Sequence, residues 1–256
     1  MGARWVCVVA AGVLGTISAG AAEVTALPPP SGEGVERGVA VVRCTIPHTG
    51  LTKTSRGTVL DVGAGARTDV LLTTAHGLPA DAQAVKRDCR VLARGKAHAI
   101  KDVWHAGGNL EGPEHDWAVL LTERIAGEVQ RWRAARFLPE SLAELVSDAA
   151  GVRLVLRYAG AVQSDCRLDP RATAALTLLA HSCVTYPGIS GSPLVIGIGL
   201  EPLLIAIHVG SQLQWNGTEL DIVSVARPLD SEIFAAIEAA VTRANDATAK
   251  PRRRVR

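Results

Sequence analysis

The stretch that decides the fold runs from Cys183 to Val195 and reads CVTYPGISGSPLV. Ser190 lies at its centre, between two glycines. Because glycine tolerates backbone conformations that other residues avoid, a glycine-rich turn can present a serine hydroxyl on a tight bend. The backbone N–H groups of such a turn can lie on the same side as the hydroxyl and hold an oxyanion. The stretch therefore predicts a nucleophilic serine beside an oxyanion-binding site.

A serine hydroxyl is a weak nucleophile near neutral pH, so this chemistry needs a base and a carboxylate that orients the base. Two upstream stretches supply both groups. The apolar run VLLTTAH ends at His76, and Asp116 opens a second apolar run, DWAVLL. Imidazole titrates near neutral pH, which makes His76 the predicted base, and Asp116 is predicted to orient it. The order along the chain is His, Asp, Ser.

These three stretches resemble the trypsin-like serine proteases of the chymotrypsin fold, over roughly residues 39–228. The motif GxSGSP, in place of the animal GDSGGP, is similar to the bacterial glutamyl-endopeptidase-like branch. The resemblance implies an all-β fold of two packed six-stranded antiparallel β-barrels with a C-terminal α-helix. It also implies a secreted serine endopeptidase that forms an acyl-enzyme on Ser190, with His76 and Asp116 completing the triad and the amides of Gly188 and Ser190 forming the oxyanion hole.

The same resemblance implies a pocket for the P1 side chain, which precedes the cleaved bond. In glutamyl endopeptidases a threonine or serine before the nucleophile and a histidine on a later strand bind the P1 carboxylate. Thr185 and His208 match these two positions, and both side chains can donate hydrogen bonds. The backbone of Val209 and Gly210 is expected to pair with an extended protein or peptide substrate. Val184 stands where trypsin has its acidic pocket residue, so a basic P1 residue is not expected.

Two alternative interpretations of the serine turn follow from its neighbours. The α/β-hydrolases use GxSxG and the order Ser, Asp, His, but here Ser192 takes the fifth position. The second alternative is a catalytically inactive homologue that binds peptides or a partner, which the bulky Ile189 before the serine favours.

His115 adjoins Asp116, but adjacent residues of a strand point in opposite directions. We assign no role in the site to the other histidines, His48, His98, His105 and His181.

Residues 1–22 have the pattern of a secretory signal peptide. Arg4 precedes the largely apolar run from Trp5 to Ile17, and Ala19-Gly20-Ala21 forms a small-residue cleavage site. The run is shorter than the roughly 20 residues that a membrane-spanning helix needs, so no membrane span is expected in the mature form. The predicted location is therefore secreted or periplasmic. Residues 23–38, rich in proline and glycine, are predicted to be a leader or propeptide.

Export changes the interpretation of the cysteines. Cys7 leaves with the signal peptide, and an even number of cysteines enters an oxidising compartment. Of the three possible pairings, we favour Cys44–Cys89 and Cys166–Cys183, because each pair then stays within one half of the chain. The sequence has no C-x-x-C and no close Cys/His cluster, so we predict no metal site and no cofactor.

Short strand-like segments separated by turns divide the rest of the chain. We predict an N-terminal barrel over residues 39–125, which contains His76 and Asp116, and a C-terminal barrel over residues 126–230, which contains Ser190. The spacing of apolar residues is more helical around Pro139 to Val146, and Asn216-Gly217 predicts a hairpin turn.

Residues 231–256 complete the chain. Asp230 is expected to cap a helix from Ser231 to about Ala244, and a basic tail follows it. The formal net charge is +2, and the tail holds many of the positive charges. Such tails are usually solvated chain ends, so nucleic-acid binding is not predicted. The sequence leaves the oligomeric state open.

Overall fold

The computed structural model describes residues 38–47, 49–63, 66–105, 112–127, 129–134, 154–157, 163–168, 177–198, 201–215 and 218–249. Several sequence predictions lie outside these residues: the signal peptide, all of the leader but Gly38, the helical segment around Pro139 to Val146, the turn Asn216-Gly217, and the basic tail. No helix within the described ranges has both the length and the apolar character that crossing a membrane requires.

The N-terminal half forms a closed barrel of six antiparallel strands. In chain order the strands are β1 (Val39–Thr45), β2 (Thr52–Val59), β3 (Thr68–Thr73), β4 (Cys89–Ala93), β5 (Lys96–His105) and β6 (Ala118–Glu123). Strand β1 pairs with both β2 and β4, which closes the barrel in the order β1-β2-β3-β6-β5-β4. This closed barrel agrees with the all-β fold class that was expected.

The two apolar runs next to the candidate triad residues form the central strands β3 and β6. Leu71 and Leu120 face the barrel interior, whereas Leu72 and Val119 belong to a second cluster that faces the rest of the molecule. Strands buried on both faces read as continuous apolar runs rather than alternating ones. This double burial explains why both runs lack polar residues at every second position.

A short helix, α1 (Ala82–Asp88), connects β3 to β4 and was not predicted. Asp81 caps it, because its Oδ2 accepts a hydrogen bond from the Ala84 amide at 2.8 Å. Val85 is its one buried residue, so the sequence carries almost no apolar periodicity that would reveal this helix.

The C-terminal half forms a six-stranded sheet. Its strands are β7 (Leu154–Arg157), β8 (Gln163–Cys166), β9 (Leu179–His181), β10 (Pro193–Ile198), β11 (Glu201–Trp215) and β12 (Leu220–Pro228), in the order β8-β7-β10-β11-β12-β9. Beyond β8, Leu168 forms a single antiparallel bridge with His181, and the Ser182 amide donates to the Arg167 carbonyl at 2.9 Å. Among the residues that the structure describes, the two edges therefore meet at one bridge, without the continuous ladder that closes the first barrel.

The final helix, α2 (Ser231–Ala249), packs across the first barrel and extends beyond the predicted end. Asp230 caps it as expected, since its Oδ1 accepts from the amides of Glu232 and Ile233, each at 3.1 Å. Ile233 and Ile237 are buried in the cluster that β3 and β6 share with β11 and β12. The helix therefore ties the two halves of the chain together.

The structure contains the two disulfides that the sequence favours. Cys44–Cys89 joins a directly opposed pair of residues on β1 and β4. Cys166–Cys183 joins the end of β8 to the segment that leads into the serine turn. The second disulfide therefore anchors the stretch with which the sequence analysis began.

Candidate active site

His76 and Asp116 meet because the strands beside them are neighbours. Strand β3 ends shortly before His76, and β6 begins shortly after Asp116, with Thr73 opposite Ala118 in the ladder. The Asp116 carboxylate contacts His76 twice: Oδ2 lies 2.6 Å from the ring Nδ1, and Oδ1 accepts from the backbone amide at 2.8 Å. This two-point contact fixes both the position and the orientation of the imidazole.

The exposure of these side chains differs in the way that acid–base chemistry requires. Asp116 is buried, with 7% of its side chain exposed, whereas 38% of the His76 side chain is exposed. The neighbouring His115 faces solvent, so it is separated from the pair. Because Nδ1 is directed at a carboxylate, the proton of a neutral His76 belongs on Nδ1, which leaves the Nε2 lone pair free.

The serine turn is held between the two halves of the molecule. The Arg56 amide of β2 donates to the Ser190 carbonyl at 2.6 Å, and Thr58 Oγ1 donates to the Gly191 carbonyl at 2.9 Å. On the other side, the Gly191 amide donates to the His208 carbonyl of β11 at 2.7 Å. One short turn thus bonds to both the barrel and the sheet.

Two positions in the turn require glycine. Gly188 has φ +90° and Gly191 has φ +89°, in the left-handed region that other residues rarely adopt. A Cβ at Gly191 would also collide with the Arg56 carbonyl, whereas the space beside Gly188 is open. Within the described ranges, neither the Gly188 amide nor the Ser190 amide donates to an acceptor. Both N–H groups are therefore free to bind an oxyanion.

The residues expected to bind the P1 side chain form a second polar cluster. His208, on β11, is buried, and its Nδ1 lies 3.2 Å from Nε2 of His181, which is equally buried. Thr185 Oγ1 lies 2.9 Å from Ser224 Oγ, and Ser224 pairs directly with His181 across β12 and β9. The structure thus brings Thr185 and His208 into one cluster through two residues that the sequence analysis did not select.

Burial makes both of these imidazoles weak bases. It lowers the pKa of His181 to about 3, with a smaller contribution from His208. Burial also lowers the pKa of His208 to about 4, and the proximity of His76 lowers it further. A hydrogen-bonding contact with the Val225 backbone acts in the opposite direction and raises this pKa. Both side chains are therefore neutral at physiological pH.

The hydrogen bonds of these two imidazoles indicate which ring nitrogen of each carries the proton. The Cys183 amide donates to His181 Nδ1 at 3.3 Å, so a neutral His181 carries its proton on Nε2. That proton points to His208 Nδ1, which places the His208 proton on Nε2. The donor of a neutral His208 is therefore Nε2–H, the same group that a contact with the Val225 backbone would use.

Beyond His208, one edge of β11 becomes available. Strand β10 pairs with β11 only as far as Ile207, and the ladder to β12 shifts register between His208 and Gly210. Val209 is buried in the shared core, and Gly210 is half-buried. Among the described strands, none pairs with this edge of β11 after Ile207, so its backbone groups can bind an extended peptide.

One group of side chains has the composition of a metal site, but its chemistry does not fit a metal. Ligand atoms of Cys166, His181 and Cys183 lie within 4.8 Å of one another. The two sulfur atoms are joined in a disulfide, however, and zinc binds thiolates. The cluster is therefore a disulfide next to a histidine.

Comparison with known proteins gives the fold. No family model and no curated protein matches this sequence. The protease Anisep from Arthrobacter nicotinovorans superimposes with a TM-score of 0.53 at 14% identity, over 82% of this chain and 97% of that one. The thermostable serine protease AL20 from an extremophilic microorganism gives a TM-score of 0.53 at 13% identity, over 81% of this chain and 98% of that one.

The fold is that of the chymotrypsin-like serine proteases.

Within that fold, sequence reasoning missed three residues of the site: His181, Ser224 and Arg56. His181 and Ser224 reach the site through strand pairing, and no motif surrounds either of them. The one local signal was the position of His181 two residues before Cys183, at the start of the decisive stretch.

Proposed function

We propose that the chain is a serine endopeptidase that hydrolyses peptide bonds through an acyl-enzyme on Ser190. The observation that carries this proposal is the two-point contact of Asp116 with His76, in a chymotrypsin-like fold whose serine turn is bonded to both halves. A surface histidine without a catalytic role has no need of a buried carboxylate that binds both its ring and its backbone.

In the proposed mechanism, Ser190 Oγ attacks the peptide carbonyl carbon while His76 Nε2 removes the hydroxyl proton. Asp116 keeps the imidazole in the correct tautomer and stabilises the imidazolium. The amides of Gly188 and Ser190 bind the oxyanion, and the loss of one such donor typically raises the barrier by about 3 kcal/mol. His76 then protonates the departing amine, and water, activated by His76, releases the acyl group from Ser190.

We further propose a preference for glutamate or aspartate at P1, as in the glutamyl-endopeptidase-like branch. Two neutral donors support it: the Thr185 hydroxyl, and the Nε2–H of His208 that the bond from His181 implies. Hydrogen bonds from neutral donors can by themselves stabilise the negative charge of a bound carboxylate. Val209 and Gly210 would pair with the substrate backbone on the P1 side of the cleaved bond.

The proposed setting is outside the cytoplasm, secreted or periplasmic. The signal-peptide pattern of residues 1–22 supports export, and the two disulfides are of the kind that oxidising compartments maintain. Ile189, which favoured an inactive homologue, is buried with Leu194 and Ile205 in the core of the C-terminal sheet. Packing therefore gives a reason for this residue that does not require an inactive homologue.

A fluorogenic peptide library that varies only P1 tests this proposal. The purified protein without its signal peptide, with disulfides formed, is compared with Ser190→Ala and His208→Ala. We expect cleavage after glutamate that Ser190→Ala abolishes, and a larger loss on glutamate than on other substrates in His208→Ala. Cleavage after another residue would keep the enzyme and remove the acidic preference. No cleavage by the unsubstituted protein would move the assignment to a peptide-binding homologue.

A further inference from the structure

The hairpin of β11 and β12 has an apolar surface that faces solvent. Leu213, Leu220 and Ile222 are 53%, 62% and 77% exposed, and they are three of the five large apolar side chains that the described part of the chain leaves exposed. Leu213 and Ile222 are directly opposite each other in the antiparallel ladder, so their side chains lie together on one face. A cluster of exposed apolar side chains, unlike scattered single ones, indicates an interaction surface.

The same face of the sheet holds the residues proposed to bind the P1 side chain. Along β12, Ile222, Ser224 and Ala226 are alternate residues, so their side chains point to one face. Ser224 Oγ lies 2.9 Å from Thr185 Oγ1, and Ala226 is directly opposite His208. The Leu213–Ile222 pair therefore continues the face of the proposed P1 pocket along the hairpin.

The edge of β11 next to Leu213 is open to a substrate strand. Strand β10 pairs with β11 only as far as Ile207, and no strand of the described ranges continues along that edge. The serine turn bonds to β11 at His208, and β11 leads away from the turn. In the proposed complex, the substrate residues before the cleaved bond lie along β11 from Val209 onwards and lead towards the turn. The substrate therefore runs antiparallel to β11.

Antiparallel pairing fixes which substrate residue meets Leu213. With P1 beside Val209, P3 lies beside Ser211 and P5 lies beside Leu213. Directly opposed residues of antiparallel strands have their side chains on the same face, and alternate residues of a strand share a face. The side chains of P1, P3 and P5 therefore point to the face of the P1 pocket, whereas those of P2 and P4 point to the opposite face.

We propose that the Leu213–Ile222 pair is a specificity-determining subsite that binds a large apolar side chain at P5 of the substrate. This inference rests on the proposed function of the same site. The pair offers no charge and no hydrogen-bonding side-chain group, and contact with it removes apolar surface from water on both partners. Aliphatic and aromatic residues are therefore preferred over polar ones at P5, whatever the residue at P1.

Matched peptides with leucine or asparagine at P5, and a second pair with the same change at P4, test the inference. The two side chains are similar in size and differ in polarity. The measured quantity is the ratio of kcat/KM for the leucine peptide to that for its asparagine twin. In the unsubstituted protein we expect a P5 ratio of about five or more, the size expected when one apolar side chain is partly removed from water. Leu213→Asn should bring the P5 ratio close to one and leave the P4 ratio as it was.

The control is Leu220→Asn, which makes the same change at an exposed position two residues further along the hairpin from Ile222. It should keep the full P5 ratio. Because Leu213 and Leu220 are both exposed, each variant should fold with a nearly unchanged Tm. A P5 ratio near one in the unsubstituted, active protein, or an equal fall of the ratio in Leu220→Asn, would overturn the inference while leaving the proposed function intact.

The other possible occupant of this face is a second copy of the chain. We expect Leu213→Asn and the unsubstituted protein to sediment alike at the assay concentration. A dimer that Leu213→Asn separates into monomers would overturn the inference, because the face would then serve self-association. If the unsubstituted protein cleaved none of the peptides, the proposed function itself would fail, and this inference would fail with it.

Discussion

Two pairs of side chains that each contain a histidine lie close together in this molecule. They differ in the partner of the histidine and in how far the histidine is exposed to solvent. His76 is paired with the carboxylate of Asp116, and 38% of its side chain is exposed. His208 is paired with another imidazole, that of His181, and both are almost fully buried. A carboxylate can stabilise a proton gained by its partner, whereas a second imidazole in an apolar setting cannot. The same residue type therefore suits a proton carrier in one pair and a fixed neutral donor in the other.

Replacing the carboxylate of the first pair should have the largest effect. Asp116→Asn removes the group that fixes the His76 tautomer, so in the proposed triad kcat should fall about ten-thousandfold, the size of the loss at the triad aspartate of trypsin-like proteases. Peptide hydrolysis at saturating and limiting substrate would measure the loss. The exposed Asp61→Asn is the control for a change of charge, and a loss of less than tenfold in Asp116→Asn would contradict the assignment.

The second pair predicts how stability depends on pH. The folded protein holds His181 and His208 neutral down to about pH 3 and pH 4, whereas an unfolded chain protonates them near pH 6.5. Between these values the unfolded state binds more protons, so the free energy of unfolding falls as the pH falls. Each histidine contributes a slope of up to about 1.4 kcal/mol per pH unit.

Urea denaturation at several values between pH 7 and pH 4.5 would measure that slope. His181→Phe removes one of the two buried groups and should make the slope shallower over this window, although its stability at pH 7 falls through the lost hydrogen bonds. Leu220→Phe, at an exposed position without a titratable group, should leave the slope unchanged. An identical slope in His181→Phe and the unsubstituted protein would show that this pair does not resist protonation.

The sequence predicted most of the first barrel because its strands follow one another and carry continuous apolar runs. His76 and Asp116 were identifiable for the same reason, since each is attached to one of these runs. The cap at Asp230 was equally local, and the structure has it. What lies within a few residues of a motif could therefore be predicted.

The parts that could not be predicted depend on strand pairing between distant segments. His181 reaches His208 because β12 pairs with both β9 and β11, and no local pattern encodes that register. The burial of Arg56 follows from the packing of the serine turn onto β2, far away in sequence. The edge strands β8 and β9 are too short for a clear alternating pattern, so the single bridge that joins their ends was also not foreseen.

The most direct test of the central claim is the reaction of the oxidised, signal-free protein with a fluorophosphonate probe. Such a probe modifies serine only when a base and an oxyanion hole activate it. We predict one covalent adduct per chain, mapped by peptide mass spectrometry to Ser190 and absent in both Ser190→Ala and His76→Ala. An unlabelled protein, or an adduct on any other serine, would contradict the assignment of Ser190, His76 and Asp116 as a working triad.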